Sequence, residues 1–218
     1  MHRTDRRNIV AALLVLGAAG VLPGAARAQT SFDLPQLMQA LGQVKAGEAS
    51  FTEKRQVAML ERTLESSGRL SFEAPDTFVR ETLKPRQDRV AVVGNMVTMS
   101  MGGRSRTVPL DSVPEAAVIM EAIRGTLTGN RAALERHFST GVSGTLQRWS
   151  LELVPLEERL RAQVSSVRIN GQQATVREMT VVLADGDRSV MSIAPAPTAA
   201  RPAAPAIAPA SAAASAPV

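Results

Sequence analysis

The side chains able to do chemistry are few, and their spacing argues against catalysis. Cysteine is absent, which removes thiol nucleophiles, thiolate metal sites, disulfides and a lipid-modified cysteine. Two histidines occur in 218 residues. His2 falls in a segment read below as a leader, so His137 alone is left to act as base, acid or ligand. A serine triad or a zinc site needs more than that. His137 ends a predicted short helix, where an imidazole interacts favourably with the helix terminus, and that structural role is expected of it. Glu157 and Glu158 are adjacent; neighbouring carboxylates diverge rather than converge on one bond, so a solvated charged turn is expected. No glycine-rich phosphate loop or dinucleotide motif is present. The reading is a protein that is not an enzyme, with no cofactor and no metal.

What remains is apolar surface of an unusual kind. Of nine methionines, Met96, Met99 and Met101 fall in one extended run and Met120 in a helical stretch. Flexible thioethers suit apolar ligands of variable shape, and they also fill cores. Which role applies depends on the elements that carry them.

Asp33-Leu34-Pro35 opens a helix: Asp33 can cap it, Pro35 suits the first turn, and Leu34, Leu37, Met38, Leu41 and Val44 recur at helical spacing. After Gly47 the pattern becomes extended, with runs from Ala49 to Met59 and from Thr63 to Phe72. In the second run Leu64, Leu70 and Phe72 share one face of the pleat, opposite Glu65, Arg69 and Glu73. Further strands are predicted over Thr77–Leu83, Arg89–Val93, Met96–Met101 after a Gly94-Asn95 turn, and Arg104–Leu110. Helices follow over Pro114–Leu127 and Asn130–His137, the second capped by Asn130. Strands resume at Gln147–Val154, with Trp149, Leu151 and Leu153 on one face. They continue at Gln163–Ile169, a turn at Asn170-Gly171, Thr175–Leu183, a turn at Asp185-Gly186, and Arg188–Ile193. One helix, about six strands, a helical insert and about four strands make an α+β, mainly β, fold: an open, curved antiparallel sheet whose concave face the insert covers as a lid. A sheet closed on itself would be filled by side chains, whereas an open one under a lid can part and admit a lipid.

Residues 1–28 have the layout of a cleaved secretory signal: Arg3, Arg6 and Arg7, an apolar run from Ile9 to Leu22, and Ala26-Arg27-Ala28 before the cut. The run is short for a bilayer span of about 20 residues. A basic start explains Arg6-Arg7, whose flanks match the twin-arginine pattern only in part, so general secretion to a bacterial periplasm is expected. Residues 29–193 form one domain with a hydrophobic core. Residues 194–218, almost only Ala, Pro and Ser, read as a disordered tail. The net charge of +5 shrinks to 21 basic against 19 acidic residues without the leader. No like-charge block exists to neutralise phosphates, so nucleic acid is not a partner.

The residues carry a resemblance. Ala49-Ser50-Phe51-Thr52-Glu53-Lys54, then Gly68-Arg69-Leu70-Ser71-Phe72-Glu73-Ala74-Pro75-Asp76-Thr77-Phe78, Pro85 and the Gly94-Asn95 turn resemble the periplasmic lipoprotein carriers called LolA, over most of Phe32 to Ile193. The resemblance implies an unclosed antiparallel half-barrel, LolA/LolB-like, with helices forming a lid over a cavity that holds acyl chains. It implies a carrier moving an acylated lipoprotein, or a glycolipid or lipid cargo, from an inner-membrane donor to an outer-membrane acceptor as a monomer not embedded in membrane. Ala74 stands where these carriers usually have a basic residue, and Arg80, Val97 and the methionines replace strand aromatics, marking a divergent member. The ligand-binding residues expected on this reading are Phe51, Leu70, Phe72, Phe78, Met96, Met99, Met101, Ile119, Met120, Ile123, Leu127, Trp149 and Leu151. The helical four (Ile119, Met120, Ile123 and Leu127) are expected to fill an empty cavity and yield to cargo. Two other readings stay open: an interaction or sensor module on the same fold, which would bind partner protein rather than lipid, and an envelope enzyme on lipids that would need His137.

Overall fold

Helix α1 (Leu34–Leu41) begins where the sequence requires it: the Asp33 carboxylate accepts from the Gln36 N–H at 3.1 Å, satisfying one of the free donors of a helix start. The computed structural model describes residues 32–58 and 62–196; the expected leader and nearly all of the expected tail lie outside these. Leu34, Leu37, Met38 and Leu41 are all buried, as one apolar stripe should be.

A meander follows: β1 (Ala46–Val57), β2 (Arg62–Glu73), β3 (Thr77–Lys84), β4 (Asp88–Val93), β5 (Met96–Met101) and β6 (Arg104–Pro109). Each pairs antiparallel with the next. Gly94 turns β4 into β5 with φ +56°, a left-handed conformation that glycine tolerates. Two helices, α2 (Pro114–Leu127) and α3 (Arg131–His137), then interrupt the sheet. It resumes with β7 (Phe138–Thr145), β8 (Arg148–Pro155), the short α4 (Glu158–Arg161), β9 (Val164–Gln172), β10 (Thr175–Leu183) and β11 (Arg188–Pro195). The result is one antiparallel sheet of eleven strands in the order β6-β5-β4-β3-β2-β1-β11-β10-β9-β8-β7. It does not close: β6 and β7 are its two edges. The first and last strands meet in the middle, with Phe51 opposite Ile193 and Glu53 opposite Met191.

Several details differ from the sequence reading. The insert is followed by five strands rather than four, because β7 carries only Phe138 and Val142 as large apolar residues and its pattern is too polar to signal a strand. The Asn170-Gly171 pair is not a turn but lies inside β9. Gly171 is there because a Cβ would run into the Trp149 indole, so the glycine serves a close approach rather than a bend. Finally, β11 continues through Ala194 to Pro195, past the Ile193 boundary; Pro195 sits beyond the last pair with β10, where its missing N–H costs no bond on that side.

The helices lie on one face, here the inner face. Over β7–β10, α1, α2 and α3 bury a packed core that includes Leu37, Val118, Leu134, Trp149, Leu151, Leu153 and Val167. At the other end Val92, Val97, Leu110 and Met120 form a second cluster. Helix α2 belongs to both: Val118 and Ala122 face the first, Met120 the second. Helix α3 is held by its cap, the Asn130 Oδ1 accepting from the Ala133 N–H at 3.0 Å. Asn130→Ala is expected to lower stability by about 1 kcal/mol, read as a shifted denaturation midpoint at unchanged slope.

Candidate functional site

Strand register sets the lining of the inner face between the two clusters. Phe72, Phe78, Val92 and Val97 stand in one cross-strand row, and Leu70, Arg80, Val90 and Met99 in the next. Directly opposed residues of antiparallel strands point to the same face, so these rows, apart from the exposed Met99 at the end of the second, form a wall. Above them α2 presents Ala116, Ile119, Met120, Ile123 and Leu127 at helical spacing, and together they line a half-open cavity of about 560 Å³. That volume lies in the range of small-molecule sites, about 300–1,000 Å³. Ala49, Met179, Met191 and Ile193 complete the lining over the central strands. Ile119, Ile123 and Leu127 are only half-buried, and Ile119 also packs against the first cluster.

Of the expected ligand-binding residues, Leu70, Phe72, Phe78, Ile119, Met120, Ile123 and Leu127 line this cavity. The others are placed elsewhere. Phe51 is buried against Leu70 and Met191, and the Arg80 guanidinium lies 4.8 Å over its ring, so the arginine takes its place at the wall. Trp149 and Leu151 belong to the packed core beneath the helices; the indole Nε1 donates to the Gln173 carbonyl at 2.8 Å. Met96, Met99 and Met101 are exposed. Met96 has the opposite pleat parity to Val97, while Met99 and Met101 share Val97's parity but run outward along β5 away from the lid. Parity keeps Met96 out of the lining, and position along the strand keeps out Met99 and Met101.

A charged patch in the wall went unread in the sequence. Glu53 accepts from Arg80 Nη2, from Ser66 Oγ at 3.0 Å and from Ser189 Oγ. Arg55 Nη2 donates to Asp187 at 3.0 Å, and Asp187 also accepts from the Ala58 N–H at 3.0 Å. Glu53, Arg55, Arg80, Asp187 and Ser189 all line the cavity. The available signal was the alternation Phe51, Glu53, Arg55, which puts two charges on the face that Phe51 marks as inner.

One polar link ties the lid to the sheet. Arg124 on α2 donates from Nη2 to the Gly94 carbonyl in the β4–β5 turn at 2.7 Å, and from Nη1 to Glu121 at 3.1 Å. His137 lies outside the cavity lining, with Nδ1 3.2 Å from Glu157 Oε1 at the surface. That pairing fits the helix-end role read from its sequence position. No cluster of three or more potential metal ligands occurs among the described residues, and no described helix is long and apolar enough to cross a membrane.

A family model described as outer membrane lipoprotein carrier protein LolA-like matches residues 25–216. Among solved structures, a LolA superfamily protein from Nitrosomonas europaea is similar with a TM-score of 0.41 and 8% identity, over 75% of this chain and 92% of that one. A putative outer membrane lipoprotein-sorting protein domain from Vibrio parahaemolyticus is similar with a TM-score of 0.41 and 10% identity, over 73% and 88%. No curated protein matches the sequence.

Proposed function

Because this chain belongs to the LolA-like family of outer membrane lipoprotein carrier proteins, we propose that it carries acyl chains of a lipoprotein or another envelope amphiphile in the cavity beneath α2. It would take cargo from an inner-membrane donor, cross the periplasm as a monomer, and deliver to an outer-membrane acceptor. The leader at residues 1–28 would bring it there by general secretion, and the Ala/Pro-rich tail would remain outside the working domain.

The observation that carries the reading is the apolar cavity between two filled cores, roofed by half-buried Ile119, Ile123 and Leu127. A ligand cannot leave a membrane cheaply: each methylene contributes about 0.8 kcal/mol, so a chain of about 16 carbons needs roughly 10 kcal/mol of replacement burial. The wall and lid supply apolar surface for that replacement. Release follows if α2 settles onto the same surface, since lid and cargo then compete for it.

The reading is tested by native mass spectrometry with lipid extraction on protein purified from its own periplasm, followed by uptake of a fluorescent fatty acid. Bound acylated protein or bound lipid supports it. An empty protein that takes up no probe, yet purifies with a partner protein, sinks it and leaves the interaction module. The lid gives a second expectation. Arg124→Met removes the charge-assisted bond to Gly94; such bonds are worth about 1.5–3 kcal/mol, so stopped-flow release of bound probe should speed up by about tenfold or more.

A further inference from the structure

We propose that the charged patch in the cavity wall is a recognition subsite for an uncharged carbonyl, the ester or amide C=O that joins an acyl chain to its head group, with Arg80 and Arg55 as donors. The proposal rests on the carrier reading above and names what the cavity recognises besides hydrocarbon.

Four charged side chains gathered in one patch of the cavity wall call for a reason, because a buried ion pair is often replaced by apolar residues with no loss of stability. Here the charges cancel within the patch: Arg80 pairs with Glu53 and Arg55 with Asp187. An anionic ligand would meet no surplus positive charge and would lie beside two carboxylates. Acceptors are also well supplied with donors, three to Glu53 and two to Asp187. The surplus is in N–H groups. A guanidinium has five, and among the described residues Arg80 and Arg55 each donate only from Nη2. Their Nε atoms are buried without a partner. Side-chain exposures are 30% for Arg80 and 42% for Arg55, the Nη1 groups are not among the buried unpartnered atoms, and both residues line the cavity. Stacking on Phe51 holds the Arg80 plane in one orientation, so its donors are aimed before a ligand arrives. A neutral patch rich in donors, set beside Leu70, Val90 and Met191, matches the one place in an acylated amphiphile where an uncharged acceptor adjoins a long alkyl chain.

The test uses the purified protein loaded with a pyrene-alkane probe, displaced by methyl palmitate, by hexadecyl methyl ether and by palmitate. The expected result is that the ester displaces the probe about tenfold better than the ether, the difference one hydrogen bond to a charged donor makes, and better than the acid. The double variant Glu53→Leu/Arg80→Met, which leaves no lone charge from that pair, should lower the ratio of ester to ether affinity. Diacylglycerol and a diacylglyceryl lipopeptide, each against its ether-linked counterpart, then separate a lipid source from a lipoprotein source; an ester preference in either supports the subsite. Equal displacement by ester and ether in the unaltered protein overturns it while leaving the carrier reading in place, as does a stronger effect of palmitate. If none of the three displaces the probe, the carrier reading fails and the subsite with it. The comparison in the unaltered protein decides even if the double variant does not fold.

Discussion

Ala49→Trp leaves the chain folded and unable to hold an acyl chain, with probe affinity expected to fall by about 100-fold or more. Ala49 lies on β1 opposite Leu70 and Pro195 and lines the cavity at the centre of the sheet. An indole there would occupy space that cargo takes on the proposed reading. Excluding four methylenes at about 0.8 kcal/mol each removes roughly 3 kcal/mol of binding, which is the stated factor. Enlarging a residue in a filled core ordinarily costs about 1–3 kcal/mol. This site borders open volume instead, so the melting temperature should stay level or rise. Probe titration alongside a thermal melt checks both halves; undiminished uptake would mean that alkyl chains bind elsewhere.

Trp149→Ala has the opposite signature, a large loss of stability without a loss of affinity in the folded protein. The indole is 2% exposed, sits in the core under the helices, rests on Gly171 and satisfies the Gln173 carbonyl. Truncating a buried tryptophan costs about 3–5 kcal/mol, which for a chain of this size corresponds to a drop of roughly 10 °C in Tm. Circular dichroism is the appropriate readout, because the chain has one tryptophan and the variant loses its fluorescence. Probe affinity measured well below the melt should match the unaltered protein. A selective loss of affinity with normal stability would instead place Trp149 against the cargo, where the strand pattern alone had put it.

The contrast shows what the sequence could and could not express. Alternation identifies the inner face correctly: Leu70 and Phe72 on β2, and Trp149, Leu151 and Leu153 on β8, all point inward. Alternation has period two and carries no information about distance along the strand, so it cannot separate Trp149 beneath the helices from Phe78 at the cavity, or Val97 under the lid from Met101 beyond it. The lid residues were legible because α2 has an apolar stripe at Ile119, Ile123 and Leu127 besides the one at Val118 and Ala122, more than a single packing face requires. The Glu53 patch was not, since Glu53, Ser66, Arg80 and Ser189 come from four strands and meet only through a register that includes the β1–β11 pair. The Asn170-Gly171 pair misled for a related reason: the partner that explains the glycine, Trp149, is on the neighbouring strand.

The seam between the first and last strands has a consequence for how the molecule comes into being. Contacts across it join residues as far apart in the chain as Glu48 and Ala196, whose N–H donates to the Glu48 carbonyl at 2.8 Å, whereas β1 to β6 pair through short hairpins and can zip as the chain is made. Pairings of such long range are slow to form. Until they do, β1 offers an unpaired twelve-residue edge, a template for another unfinished chain. The finished sheet ends instead on β6 and β7, and on β6 Arg104, Arg106 and Pro109 discourage that kind of pairing. A chain stopped before Arg188 would therefore leave both β1 and β10 bare, and aggregation of the truncated product, rather than a smaller folded domain, is the outcome the topology dictates.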